Sequence, residues 1–186
     1  KLLAASGNKL CTIYDAQSGT KLASLPHDSL DGGDLYVRSL SFNPSDTLFA
    51  TGSEDTFIRI WDLGSLTSES SPTPKLFQTL KGHTQDVYAL EFLDDQKIVS
   101  GSGAQTPKLW DVSNSECIAS VSNQPVPTAS PSSNPREAGI TSLALSNDRK
   151  FVVTGSLDRF VRVYRIEEEE KGFILCQTFD GHSDSV

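Results

Sequence analysis

The sequence predicts an all-β protein of repeated four-stranded units that stack side by side around an axis as a β-propeller. One observation is a gapless recurrence: Ala5–Asp15 (ASGNKLCTIYD), Gly52–Asp62 (GSEDTFIRIWD), Gly101–Asp111 (GSGAQTPKLWD) and Gly155–Arg165 (GSLDRFVRVYR) align position by position. A second is its period. The aromatic position, held by Tyr14, Trp61, Trp110 and Tyr164, returns after 47, 49 and 54 residues, a little above the roughly 40 to 45 of a four-stranded propeller blade. The third is patterning: short apolar or alternating runs bounded by turn residues, with no helical period anywhere.

The elements follow in order. Residues 1–25 read as the end of a blade. The next blade, 35–80, places strands over Val37–Phe42, Leu48–Thr51, Phe57–Trp61 and Leu76–Leu80. Another, 87–121, places them over Val87–Phe92, Lys97–Ser100, Lys108–Asp111 and Cys117–Val121, and a third, 140–179, over Ile140–Leu145, Phe151–Thr154, Phe160–Tyr164 and Phe173–Phe179. Residues 181–186 open a further unit. The excess over the usual period falls in 63–74 and 122–138, which are rich in Ser and Pro and read as flexible insertions. Each unit carries two apolar faces and must stack on neighbours to bury both. Pro107 falls within the strand before Trp110, where it cannot donate to a ladder, so the blade of residues 87–121 is expected to be the least regular. A chain that opens on Lys1 without methionine and stops inside a unit reads as a piece, about four blades of a seven-bladed ring.

Composition narrows the function. A formal charge of −8 and a pI near 4.8 argue against direct nucleic-acid contact, which rests on clustered Lys and Arg. No apolar run approaches a membrane span, and no leader pattern opens the chain. The cysteines, Cys11, Cys117 and Cys176, lack CxxC spacing and read as reduced thiols, with Cys11 and Cys176 as small buried hydrophobes in strands. The histidines, His27, His83 and His182, are 56 and 99 residues apart and lack nearby Cys partners, so no metal site and no cofactor are expected. His27 reads as a loop residue without a role. Glu167–Glu170 reads as a solvated acidic turn or as a docking patch for basic segments.

Gly82-His83, Val87, Ser100-Gly101-Ser102 and Trp110-Asp111, followed by a second Gly181-His182, resemble the Gly-His to Trp-Asp signature of WD repeats. DLYVRSLSF (Asp34–Phe42), ATGSEDTFIRIWDL (Ala50–Leu63), GHTQDVYAL (Gly82–Leu90) and GSLDRFVRVYR (Gly155–Arg165) resemble the fungal Tup-type general transcriptional corepressor, a relative of animal Groucho proteins. The resemblance covers nearly the whole chain outside the insertions.

It implies a structural network in which an Asp, a His, a Ser or Thr and a Trp hydrogen-bond to one another and fix blade geometry. Here the sets are incomplete. Thr51, Asp55 and Trp61 have Gly33 where His would stand. His83, Ser100 and Trp110 have Ala104 in place of Asp. Thr154 and Asp158 face Tyr164, with Arg136 at the His position, and His182 would belong to the next set. Such Ser, His and Asp residues recur blade by blade, whereas catalysis needs one assembled site, so no enzyme and no small-molecule substrate are expected.

Turns have the sequence freedom that stacked strands lack, so partners are expected on one rim, at Tyr36, Arg38, Glu54, Asp86, Tyr88, Gly103, Thr141, Leu157 and Arg159. Tyr36 and Tyr88 either contact a partner or close the rim over the core. The family resemblance implies a nuclear corepressor propeller that binds DNA-bound repressors, histone tails or other corepressor subunits. The alternative is a WD scaffold of another kind: a ubiquitin-ligase substrate receptor, or a subunit of a signalling or ribosome-assembly complex, cytoplasmic where the setting demands it. A propeller hydrolase is the least favoured reading.

Overall fold

The computed structural model describes residues 1–28, 33–67, 74–104, 106–120, 139–167 and 172–186. Residues 68–73 of the one insertion, all of 122–138 with Arg136, and Glu168–Glu170 lie outside the described residues. Four antiparallel sheets follow one another along the chain. The first holds β1 (Leu2–Ser6), β2 (Leu10–Asp15) and β3 (Lys21–Pro26), and the second holds β4 (Val37–Phe42), β5 (Leu48–Ser53), β6 (Ile58–Asp62) and β7 (Lys75–Leu80). The third runs through β8 (Val87–Phe92), β9 (Lys97–Ser102), β10 (Lys108–Asp111) and β11 (Glu116–Ser120). The fourth runs through β12 (Ile140–Leu145), β13 (Phe151–Ser156), β14 (Val161–Glu167) and β15 (Gly172–Phe179). A 3-10 turn at Gly64–Thr67 follows β6. Leu3 pairs with Tyr14 as Phe49 pairs with Trp61, so β1–β3 match β5–β7.

Strands joined by short turns pair with their sequence neighbours, and left-handed residues close several of those turns: Asp46, Ser115 and Arg149 at φ near 60°. Bulges recur at equivalent places from sheet to sheet. On the inner strands Arg38, Tyr88 and Thr141 are the extra residues. On the outer strands Leu22, Phe77, Ile118 and Cys176 are, immediately beside the aromatic position. A bulge re-aims a side chain out of the pleat, which is why Cys176 is exposed rather than buried as its strand pattern implied; Cys11 is buried.

The cores lie between sheets, not within them. Cys11, Ile13 and Leu25 meet Phe49, Trp61 and Leu63; Ile58, Ile60 and Leu80 meet Val87, Phe92 and Trp110; Val99 and Leu109 meet Val152, Tyr164 and Phe173. Close approach is set by glycine. A Cβ on Gly52 would lie 2.6 Å from Val87, one on Gly101 2.3 Å from Ile140, and one on Gly155 2.7 Å from Val186. Val186 therefore occupies the place that Val87 and Ile140 hold in the preceding pairs, and its N–H donates to the Ser156 carbonyl. These stacked sheets are the arrangement of a partial β-propeller.

Pro107 lies just before β10, not inside a strand. Its counterparts Ile58 and Val161 begin β6 and β14, so the missing N–H shortens β10 by one pairing. The bulge beside Trp110 matches those of the other sheets, and the irregularity expected of this blade reduces to that one residue.

Candidate functional site

The structural network comes first, because it holds the rim in place. Trp110 Nε1 donates to Ser100 Oγ at 2.7 Å, and His83 Nε2 bonds the same oxygen at 2.7 Å. Gly82 makes this approach available: it sits at φ 146°, which disfavours any side chain, and its added Cβ would be 3.2 Å from the Trp110 ring. In the second sheet Trp61 Nε1 donates to Thr51 Oγ1 at 3.2 Å, and the ring partner of Thr51 is His27, through Nε2 at 2.8 Å. His27 is 1 % exposed, and its Nδ1 bonds the Leu25 carbonyl at 3.0 Å.

This corrects two expectations. Gly33 does not stand in the histidine's place, and His27 is a network residue rather than an idle loop residue. Pro26 precedes it instead of glycine, and the chain between His27 and β4 is longer than that between His83 and β8, so a search for Gly-His at fixed spacing passes it by. The available signal was its position directly after β3, as His83 follows β7.

The aspartates do not join the histidines. Asp55 takes Arg59 Nη2 at 2.5 Å and the Ser53 hydroxyl at 2.6 Å, and accepts the Phe57 N–H at 3.3 Å, closing the β5–β6 turn in which Thr56 sits at φ 74°. Asp158 repeats this with Arg162 Nη2 at 2.5 Å, the Phe160 N–H at 3.2 Å and Arg159 at φ 73°. Ala104 and Lys108 stand at these positions in the third sheet. Thr154 Oγ1 is buried with no hydrogen-bond partner among the described residues, and Tyr164 fills the indole's place. His182 is exposed and lines a shallow pocket with Asp158 and Asp180 rather than a network.

Electrostatics follow from burial. Desolvation, then the positive charge of Lys108, push His83 down to about 4, and desolvation lowers His27 as well. Burial pushes the Asp55 carboxyl up, but hydrogen bonds from Arg59 and Ser53 outweigh it and leave it below the usual carboxylate range. A histidine held neutral in the fold contributes stability that is fully present above its unfolded value near 6.5 and is lost as pH falls toward 4. Urea midpoints should therefore drop across that window, His83 accounting for about 3 kcal/mol. His83→Gln should flatten the decline; an equally steep decline in the variant would show that His83 is not its source.

The rim is assembled by the inner-strand bulges and the turns before the aromatic strands. Arg38 forms an ion pair with Glu54, and its guanidinium lies 5.1 Å from the Tyr36 ring centroid. Glu54 also accepts the Tyr36 N–H at 3.2 Å. Tyr88 reaches this group from the next sheet: burial, then the charge of the hydrogen-bonded Asp86, push its phenol up, and Arg38 and Glu54 act on it too. Tyr36, Arg38 and Glu54 thus form one contact cluster, which Tyr88 and Asp86 of the next blade meet electrostatically. Asn8 ties it to the first blade by donating to Asp34 at 2.7 Å and accepting the Leu35 N–H at 3.0 Å.

Leu157 and Arg159 are exposed farther along the rim, and the Thr141 hydroxyl is engaged with the Gly155 carbonyl at 3.2 Å and with the Val186 carbonyl. Gly103 is buried against Gln85 and Gly139 and presents no surface to a partner. Among the described residues no group of three His, Cys, Asp or Glu side chains could hold a metal, and no helix is long and apolar enough to cross a membrane.

Similarity to known proteins agrees with the fold and redirects the function. Ribosome biogenesis protein WDR12 homologs of Drosophila persimilis and Drosophila mojavensis are 28 % and 29 % identical over 162 residues, 82 % of this chain and 35 % of theirs. The guanine nucleotide-binding protein subunit beta of Zea mays is 28 % identical over 127 residues, 67 % of this chain and 32 % of its own. The chain therefore spans about a third of the length of the relatives it matches. These relatives overturn the corepressor reading and favour the ribosome-assembly scaffold that stood among its alternatives. The stretches that imply the Tup-type relation, 34–42, 50–63, 82–90 and 155–165, hold the glycines, histidine and tryptophan that the geometry uses for stacking and for the network, and so they mark the repeat rather than its branch. Residues 19–62, 74–111 and 128–165, well over half of the sequence, match the WD domain, G-beta repeat, and with the recurring sheets and their shared network they place the chain in that family.

Proposed function

We propose that this chain is a non-catalytic, protein-binding section of a nuclear ribosome-assembly scaffold, and that its rim holds other proteins of the assembly complex. The observation that carries the reading is the likeness to ribosome biogenesis proteins across 82 % of the chain. The rim supports it: an exposed Tyr36 stacked on an ion-paired Arg38, with Tyr88 and Asp86 beside them, supplies the residue types that dominate interface energetics. The net charge of −8 favours protein partners over direct contact with ribosomal RNA. Leu157 and Arg159 extend the same surface.

The test is gradient sedimentation of the tagged full-length protein. It should travel with precursor ribosomal particles, and the Tyr36→Ala/Tyr88→Ala double variant should leave those fractions by at least tenfold while its melting temperature stays unchanged. Absence of the unaltered protein from those particles defeats the ribosome-assembly reading. Undiminished association of the double variant defeats the rim as the contact surface, and a lowered melting temperature assigns the two tyrosines to closing the core.

A further inference from the structure

The groove at the other end of the second and third sheets goes beyond this reading. Of the four outer-strand bulge residues, Leu22 and Ile118 pack against the cores beside them. Phe77 does not; it is 50 % exposed and lines a groove of about 300 Å³ with Leu48, Val112, Asn43 and Asp95. Leu48 and Phe77 come from one sheet, and Asp95 and Val112 from the turns of the next. Strands alternate in direction, so these turns lie at the end of the blades opposite Tyr36 and Tyr88.

We propose that this groove docks an arginine or lysine side chain carried on an exposed segment of a partner protein. Three features converge on that chemistry. Asp95 is oriented before any partner arrives: its Oδ1 accepts Asn43 Nδ2 at 3.0 Å and the Ser45 N–H at 3.0 Å, while its other oxygen accepts no hydrogen bond among the described residues. Asn43 is itself 2 % exposed and fixed, accepting the N–H groups of Thr47 at 2.9 Å and Leu48 at 2.8 Å. A carboxylate held this way gives a charge-assisted hydrogen bond with little ordering cost.

The second feature is the Phe77 face. A cation over an aromatic ring is attracted by the ring quadrupole, and the molecule already uses this pairing at Phe57, with Lys81 at 5.3 Å and Arg59 at 5.7 Å from the centroid. The third is the wall. Leu48 and Val112 offer apolar surface to the methylene stem of a long basic side chain, and among the described residues no basic side chain lines the groove. The nearby Lys97 is drawn to Asp94 at 3.6 Å. The complement is therefore one cation with an aliphatic stem. With the rim at the opposite end, the two surfaces can be occupied together, as a scaffold requires.

Amide chemical-shift titration of the protein with acetyl-Leu-Arg-Leu-amide tests the proposal. Saturable shifts are expected at Ser45, Thr47, Gln96 and Ser113, and none with acetyl-Leu-Glu-Leu-amide. Asp95→Asn keeps the oxygen that Asn43 and Ser45 use and should weaken binding at least tenfold; Phe77→Ala, at an exposed site, should weaken it severalfold. The proposal is overturned if the Arg peptide shifts nothing in the groove, if the Glu peptide binds equally, if the shifts centre on Tyr36 and Tyr88, or if both variants bind as the unaltered protein does. The readout does not depend on ribosomal particles, so failure here leaves the functional reading to its own test.

Discussion

Asp158→Ala is expected to lower the unfolding free energy by about 3–5 kcal/mol, the cost of breaking a buried ion pair by removing one partner. The Arg162 side chain is 0 % exposed and that of Asp158 3 %, with Nη2 to Oδ2 at 2.5 Å and Nη1 to Oδ1 at 3.1 Å. Removing the carboxylate takes its two-point ion pair from a guanidinium that is 0 % exposed, and the Ser156 hydroxyl at 3.3 Å is a neutral group that does not replace the carboxylate. The turn also loses its acceptor for the Phe160 N–H. The second blade supplies the control. Asp55 and Arg59 make the same contacts with side chains 20 % and 12 % exposed, so water solvates the residual charge there and Asp55→Ala should cost clearly less. The third blade shows that the pair is dispensable to the fold, since Ala104 and Lys108 replace it. Asp158→Ala combined with Arg162→Met should accordingly recover most of the loss. Urea denaturation of the four proteins decides it: equal costs for Asp158→Ala and Asp55→Ala, or no recovery in the double variant, would show that burial of the pair is not what matters.

That contrast between blades also shows which features the sequence discloses. Strand positions were legible because alternation and turn residues are local; Val37–Phe42, Lys108–Asp111 and Ile140–Leu145 are found where the pattern puts them. Stacking was legible from the two apolar faces of each unit, whereas the close approach at Gly52, Gly101 and Gly155 is seen only in the packing. The partner of a buried hydroxyl was not, because it depends on how far a loop lets a histidine reach. Thr51 and His27 are 24 residues apart while Ser100 and His83 are 17 apart, and no fixed spacing covers both. The destination of Asp55 and Asp158 was likewise hidden: an arginine four residues on competes for the carboxylate, and an ion pair with charge-assisted bonds outbids a neutral imidazole. Gly103 was placed on the rim by position alone, and only packing reveals that Gln85 covers it. The bulges that aim Arg38 and Tyr88 outward, and Phe77 into its groove, leave no residue signature of their own.

Trp110→Ala should be comparably severe, about 3–5 kcal/mol, and for a different reason. The indole is 0 % exposed and sits in the core shared by the second and third sheets, against Val87, Phe92 and Ile98, with the His83 ring centroid 5.4 Å away. Its loss opens a cavity in the core shared by the two sheets, and it removes the N–H that Ser100 Oγ accepts. Trp110→Phe separates the two effects, because it keeps most of the volume and loses the donor; Ser100 still has His83 at 2.7 Å, so the cost should fall to about 1–3 kcal/mol. The fourth blade gives the complementary comparison. Thr154 Oγ1 has no partner among the described residues, so Thr154→Val should be close to neutral, whereas Thr51→Val removes the oxygen that Trp61 and His27 both use and should destabilise. Denaturant midpoints of the four variants form one test. If Thr154→Val and Thr51→Val cost the same, the hydroxyls act by volume alone, and the network contributes nothing that an apolar core of equal size would lack.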